Sequence, residues 1–191
     1  MEAFLFSTGV VALAEIGDKT QLLSFVLAAK FRKPLPIILG ILVATLINHA
    51  AAGGVGAWLA SLMSPMILRW GVGLSFLAMA VWVLIPDRLD EEEARLPALG
   101  VFGTALFAFF LAEMGDKTQI ATVALASHYP ALAAVVLGTT LGMLLANVPA
   151  VYFGERAARL LPLPLVRTAT ALMFVGLGLA TLLGAAADLG L

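Results

Sequence analysis

There is no cysteine in the 191-residue chain. Disulfides, thiolate metal sites and cysteine nucleophiles are therefore excluded, while the redox compartment stays open. Charge is scarce too: 12% of positions are charged against 62% hydrophobic, with a net charge of -1. The basic residues form no cluster interleaved with aromatics, so a nucleic-acid surface is set aside. Met1-Glu2-Ala3 lacks the positive segment and cleavage site of a signal peptide, so the first apolar run is expected to be retained.

What fills the chain is hydrocarbon. Its mean hydropathy of +1.05 lies far outside the soluble globular range, which marks an integral membrane protein. Apolar runs extend from about Phe4 to Ala29, Leu35 to Leu62, Ile67 to Ile85, Leu99 to Ser127, Ala131 to Phe153 and Leu165 to Ala187. A helix crosses the hydrocarbon in roughly 20 residues, so these predict six transmembrane helices and an all-α membrane protein. Lys30-Phe31-Arg32-Lys33-Pro34, Ser64-Pro65, Pro86-Asp87, His128-Tyr129-Pro130 and Leu161-Pro162-Leu163-Pro164 punctuate them. Lys30, Arg32, Lys33, Arg88, Arg95, Arg156, Arg159 and Arg167 fall on one side and Arg69 alone on the other. The positive-inside rule then places both termini outside and the loop at 87–97 in the cytoplasm. The acidic run Asp90 to Glu93 reads as a solvated linker.

The chain repeats itself at a constant offset of 98. Between Leu13 and Ala28, matched to Leu111 through Ala126, ten of sixteen positions are identical. Gly40/Gly138, Leu46/Leu144, Gly56/Gly154, Arg69/Arg167 and Phe76/Phe174 carry the match onward. The expected organisation is one three-helix repeat at 1–86, the acidic linker at 87–97 and a second repeat at 98–191. Three spans are an odd number, so the second repeat enters from the opposite face. Such inverted repeats are a recurrent transporter plan with a site near the midplane.

The strongest duplicated stretch is Glu15-Ile16-Gly17-Asp18-Lys19-Thr20-Gln21, returning as Glu113-Met114-Gly115-Asp116-Lys117-Thr118-Gln119. Glu15 lies 11 residues into its span, roughly 16 Å along a helix and near mid-bilayer. Ionisable groups there are expensive and mark a functional site. On an unbroken helix Glu15, Asp18 and Gln21 share a face, Lys19 sits beside Glu15 and Thr20 turns away. Glu113, Asp116, Lys117 and Gln119 follow the same geometry. Gly17 allows either close helix approach or a break that aims carbonyls at an ion. Asn48 and His49 in the second span, and Asn147 in the fifth, fall at the same depth and can complete the shell. For His49 alone, a hydrogen-bonded structural histidine is the blander alternative. Buried Glu15–Lys19 and Glu113–Lys117 pairs serving only packing would explain neither Asp18 and Asp116 nor the duplication.

Glu15, Asp18, Glu113 and Asp116 carry -4 when ionised, and Lys19 and Lys117 return +2, leaving -2. One divalent cation neutralises that remainder, and so do two protons. Exchange of one for the other never leaves a large uncompensated charge in low dielectric. Oxygen ligands favour Ca²⁺, Mn²⁺ or Mg²⁺ over soft metals, and His49 tilts the balance toward Mn²⁺. Gly53, Gly54, Gly56 and the Gly138/Gly142 spacing read as helix packing.

Two copies of E-x-G-D-[KR]-[TS] in two three-span repeats joined by an acidic loop resemble the family of bacterial and Golgi divalent cation/proton exchangers. The resemblance covers nearly the whole chain. It implies export of Mn²⁺, and in some members Ca²⁺, from the cytosol in exchange for protons, with the cation as substrate and no cofactor. By position, the family's ion-binding acids fall on Glu15, Asp18, Glu113 and Asp116, and Lys19, Thr20, Lys117 and Thr118 complete the motifs. The absence of a eukaryotic targeting extension points to a prokaryotic plasma membrane. The sequence is compatible with a monomer or a homodimer. Competing readings are a divalent cation channel, an exporter of another cationic solute and, remotely, an intramembrane aspartyl protease built on Asp18 and Asp116. The protease needs one proton shared between two carboxyls, which the adjacent lysines would disturb.

Overall fold

The computed structural model describes residues 1–86, 99–153 and 162–184. The acidic linker at 87–97, with Arg88 and Arg95, lies outside the described residues, as do Arg156 and Arg159. The described residues form eight helices and no strand, in agreement with the all-α expectation. These are α1 (Glu2–Glu15), α2 (Lys19–Phe31), α3 (Pro34–Leu62), α4 (Pro65–Trp82), α5 (Gly100–Glu113), α6 (Lys117–His128), α7 (Leu132–Phe153) and α8 (Leu163–Leu183).

Local chemistry sets the ends. Proline occupies the first turn of α3, α4 and α8, where its missing N–H costs nothing. The Ser64 side chain accepts from the Ile67 N–H and caps α4. At the far end of α8, Gly184 takes the left-handed conformation at φ 77°. Four helices, α3, α4, α7 and α8, are long and apolar enough to cross a bilayer by length and composition. The first and fourth apolar runs are instead each divided in two, into α1 and α2 and into α5 and α6.

Glycines determine how closely these helices approach. A Cβ on Gly40 in α3 would lie 2.9 Å from the Phe102 carbonyl oxygen and 2.7 Å from Ala105 Cβ in α5. A Cβ on Gly138 in α7 would meet the Phe4 carbonyl oxygen at 2.4 Å and Ser7 Cβ at 3.1 Å in α1. Every residue in the second contact stands 98 from its counterpart in the first, so α3 against α5 and α7 against α1 are one interface built twice. Gly142 continues it against Thr8, Val11 and Ala12, which makes α1 and α7 parallel. Gly56 lies against the backbone of α6 at Val123 and Ser127, and Gly53 against Leu132 and Val136. Gly54 is the exception to the packing expectation, since its α-carbon faces open space.

Two apolar cores result. One gathers the start of α1 and α7 with α4, α8 and the end of α6, through Val10, Phe76, Leu125, Val135 and Phe174. The other gathers the first half of α3 and the later part of α5 with α2 and the end of α7, through Leu27, Ile41, Phe109 and Val151. Between them lies a buried polar layer comprising Glu15, Asp18, Thr20, Ser24, Asn48, His49, Glu113, Asp116, Lys117, Thr118 and Asn147. Outward, Leu39, Ile47, Val55, Leu74, Leu137, Leu145 and Leu179 stand exposed, as helices in lipid require.

Candidate functional site

The polar layer forms where the two divided helices break. After Glu15 the chain passes through extended Ile16, Gly17 at φ 82° and extended Asp18 before α2 begins at Lys19. Met114, Gly115 at φ 76° and Asp116 repeat this path between α5 and α6. Left-handed backbone at both central positions is the conformation glycine adopts without a Cβ penalty. Of the two roles open to Gly17, the structure therefore takes the break. Gln21 closes it: its Oε1 accepts from the Gly17 N–H at 3.1 Å, and Gln119 Oε1 accepts from the Gly115 N–H at 2.8 Å. The glutamines hold backbone and do not extend the row of acids.

A break resets the angular phase between residues, so contacts form that an unbroken helix would not make. Thr20, expected to turn away, donates to Glu15 Oε2 at 2.5 Å, and Thr118 donates to Glu113 Oε1 at 2.5 Å. Thr118 also reaches Asp116 Oδ2 at 3.4 Å. Lys117, four residues after Glu113, has a partner across the repeats. It is buried and donates to Asp18 of the other repeat. Lys19 is half-buried and acts electrostatically on Asp116, again across the repeats.

Three of the four acids, Glu15, Glu113 and Asp116, offer carboxylate oxygens that all lie within 4.8 Å of one another. All three are buried. The fourth, Asp18, is the buried partner of Lys117 and still acts on Glu15 through space. A lysine in contact with Asp18 disfavours the single shared proton that an aspartyl protease pair needs. Each glutamate has one oxygen held by its threonine. The other oxygen, Glu15 Oε1 or Glu113 Oε2, is buried with no hydrogen-bond partner among the described residues. Buried carboxyl oxygens of that kind are rare in proteins unless they serve a ligand or a proton.

The second and fifth apolar runs supply the surroundings. Asn147 donates from Nδ2 to Glu15 Oε2 at 3.4 Å and to the Met143 carbonyl at 3.1 Å. His49, 98 residues earlier, places Nε2 at 3.5 Å from Glu113 Oε1. Asn48 is buried and donates from Nδ2 to the Phe110 carbonyl at 3.1 Å. Several groups escaped sequence reasoning. Ser24 donates to Asn147 Oδ1 at 2.9 Å, and Gln21 Nε2 donates to the Ala146 carbonyl at 3.1 Å. Ser24 carries a weak signal, one turn beyond Thr20 where the second repeat has hydroxyl-bearing Thr122. Pro149 inside α7 has no N–H for the Leu145 carbonyl, which loosens the helix beside Ala146. A carbonyl acceptor leaves no trace in a sequence.

Comparison with known proteins adds the following. A family model described as "Divalent cation/proton antiporter GDT1" matches twice, over residues 3–91 and 101–189, again 98 apart. A Vibrio cholerae protein described as "Putative manganese exporter" is 54% identical over 182 residues, covering 95% of this chain and 90% of that one. "GDT1-like protein 4" of Oryza sativa subsp. indica is 29% identical, covering 94% of this chain and 73% of its own length. "GDT1-like protein 3" of Arabidopsis thaliana is 27% identical, covering 92% and 68%. No solved structure matches.

Proposed function

Because the chain belongs to the GDT1 family of divalent cation/proton antiporters, a family of transporters and not of enzymes, we propose that it exports a divalent cation from the cytosol in exchange for protons. The cation is Mn²⁺ in first place, as the description of the Vibrio cholerae relative suggests, with Ca²⁺ second. The ion-binding acids are Glu15, Glu113 and Asp116, with Asp18 completing the charge.

The observation that carries this reading is the meeting of three buried carboxylates from both repeats within 4.8 Å, two of them with an oxygen that has no hydrogen-bond partner among the described residues. Such oxygens suit a hard cation. Four acids and two lysines leave -2, which one divalent cation or two protons cancel. Alternation between the two states keeps the dry layer near neutrality throughout the cycle. Thr20 and Thr118 orient the glutamates, and Lys117 and Lys19 balance the aspartates of the opposite repeat. Relative movement of the repeats would then separate Lys117 from Asp18, Lys19 from Asp116 and the two glutamates from each other together.

In this reading α1 with α2, and α5 with α6, are two interrupted spans that join the four long helices to make six. Repeat 1 at 1–86 and repeat 2 at 98–191 are inverted about an axis in the membrane plane, supported by the doubled glycine interfaces and the shared offset of 98. Both termini lie outside a prokaryotic inner membrane and the 87–97 loop inside, supported by the placement of lysine and arginine.

The test is flux in proteoliposomes loaded at acid pH. External Mn²⁺ should accumulate while internal pH rises, with two protons leaving per cation. Cation entry that proceeds without proton movement would rule out exchange and favour a channel.

A further inference from the structure

The two halves of the site match in backbone but not in chemistry. Asn147 is well bonded: it accepts from Ser24 at 2.9 Å and donates to Glu15 and to the Met143 carbonyl. At the equivalent position of the first repeat stands His49, whose ring is 0% exposed. Neither of its nitrogens has a hydrogen-bond partner among the described residues. A neutral imidazole brings one donor and one acceptor, and leaving each unmatched in a dry interior costs about 1 to 3 kcal/mol. The second repeat demonstrates that this backbone position accommodates an amide with its hydrogen bonds made. The histidine thus carries a cost that the asparagine does not.

Nε2 points at Glu113, 3.5 Å from Oε1, and Glu113 Oε2 is itself without a partner. The contact lies within ion-pair range but makes no hydrogen bond. Two donors at right angles with bonds of about 2.1 to 2.6 Å stand about 3.0 to 3.7 Å apart, so this pair suits adjacent ligands on one ion, with His49 beside and not within the set of three carboxylates that lie within 4.8 Å of one another. We propose that His49 is a nitrogen ligand of the transported cation beside Glu113, and that this one-sided imidazole makes the site select Mn²⁺ over Ca²⁺ and Mg²⁺. The inference rests on the transport reading above and deepens it. Ca²⁺ and Mg²⁺ are oxygen-seeking ions that gain little from replacing an oxygen donor with nitrogen, whereas imidazole suits first-row transition metals. An all-oxygen site with asparagine in both halves would lose that distinction.

The decisive variant is His49→Asn, which gives both repeats the residue already accommodated at 147. In proteoliposomes it should lower the Mn²⁺-over-Ca²⁺ selectivity ratio by about tenfold or more, while Ca²⁺ flux persists. A ratio equal to that of the wild type, or equal loss of both fluxes in a correctly folded variant, would overturn the proposal. Pulsed electron paramagnetic resonance on the wild-type protein loaded with Mn²⁺ supplies a readout independent of any variant. Nitrogen hyperfine coupling that changes with ¹⁵N-histidine labelling is expected, and bound Mn²⁺ lacking that coupling would refute the ligand role. If the wild type moves no divalent cation, the transport reading falls, and the same spectrum still decides whether His49 ligates Mn²⁺. Active transport with an unchanged ratio removes only the role of His49.

Discussion

Lys117 donates to Asp18 across 99 residues of sequence, so the lysine of one motif neutralises the aspartate of the other. Both groups are buried, and the contact joins α6 to the break before α2. Removing one partner of such a pair strands a charge, at a cost of about 3 to 5 kcal/mol, whereas removing both costs much less. Lys117→Met should therefore lower unfolding stability in detergent sharply, and Asp18→Asn combined with Lys117→Met should recover much of the loss. A double variant no more stable than Lys117→Met would show that the pair is not coupled.

Glu15→Gln and Glu113→Gln should each reduce Mn²⁺ flux in proteoliposomes by about a hundredfold or more, since each removes a charge of the order that a buried ion needs. Folding should survive, because the amide oxygen still accepts from Thr20 or Thr118. Glu2→Gln, at the exposed start of α1, should transport normally. Normal flux in either buried variant would exclude that glutamate from the site.

The threonines offer a finer measurement. Thr20→Val deletes a hydrogen bond to a carboxylate worth about 1.5 to 3 kcal/mol, which converts to a rise in KM for Mn²⁺ of roughly ten- to a hundredfold. Thr20→Ser keeps the hydroxyl and should stay close to wild type. Thr118→Val should be the more severe variant, because Thr118 also reaches Asp116. An unchanged KM in Thr20→Val would mean that orientation of Glu15 does not limit binding.

Close helix contact predicts which glycines tolerate a methyl group. Gly138→Ala places its Cβ on the Phe4 carbonyl and should cost about 1 to 3 kcal/mol, read as a lower melting temperature in detergent. Gly40→Ala should behave alike, since it meets the Phe102 carbonyl and Ala105. Gly54→Ala and Gly176→Ala face open space and should leave stability unchanged or raise it by up to about 1 kcal/mol through helix propensity. Loss of stability at Gly54 would contradict the α3 packing.

The helical class, the apolar runs and the duplication at 98 were all legible in the residues, because each is a property of order along the chain. So was the candidacy of Glu15, Asp18, Glu113 and Asp116, which the structure buries, since a carboxylate in an apolar run has no inexpensive reason to be there. Their partners were a different matter. Lys19 and Lys117 looked like i+4 neighbours of the glutamates, and Thr20 looked averted, only on the assumption of a continuous helix. Gly17 was compatible with a continuous helix or a broken one, and nothing local to it decides between them. That decision belongs to the tertiary structure. The break is stable because Gln21 and Gln119 occupy the freed amides and because the opposite repeat brings cationic lysines to the buried aspartates. It is likewise the fold that sets His49 against Glu113 and Asn147 against Glu15, since those pairs lie far apart in the chain and meet only when the two repeats interlock. Sequence order determined which groups are buried in the bilayer, and three-dimensional packing alone decided which of them face one another.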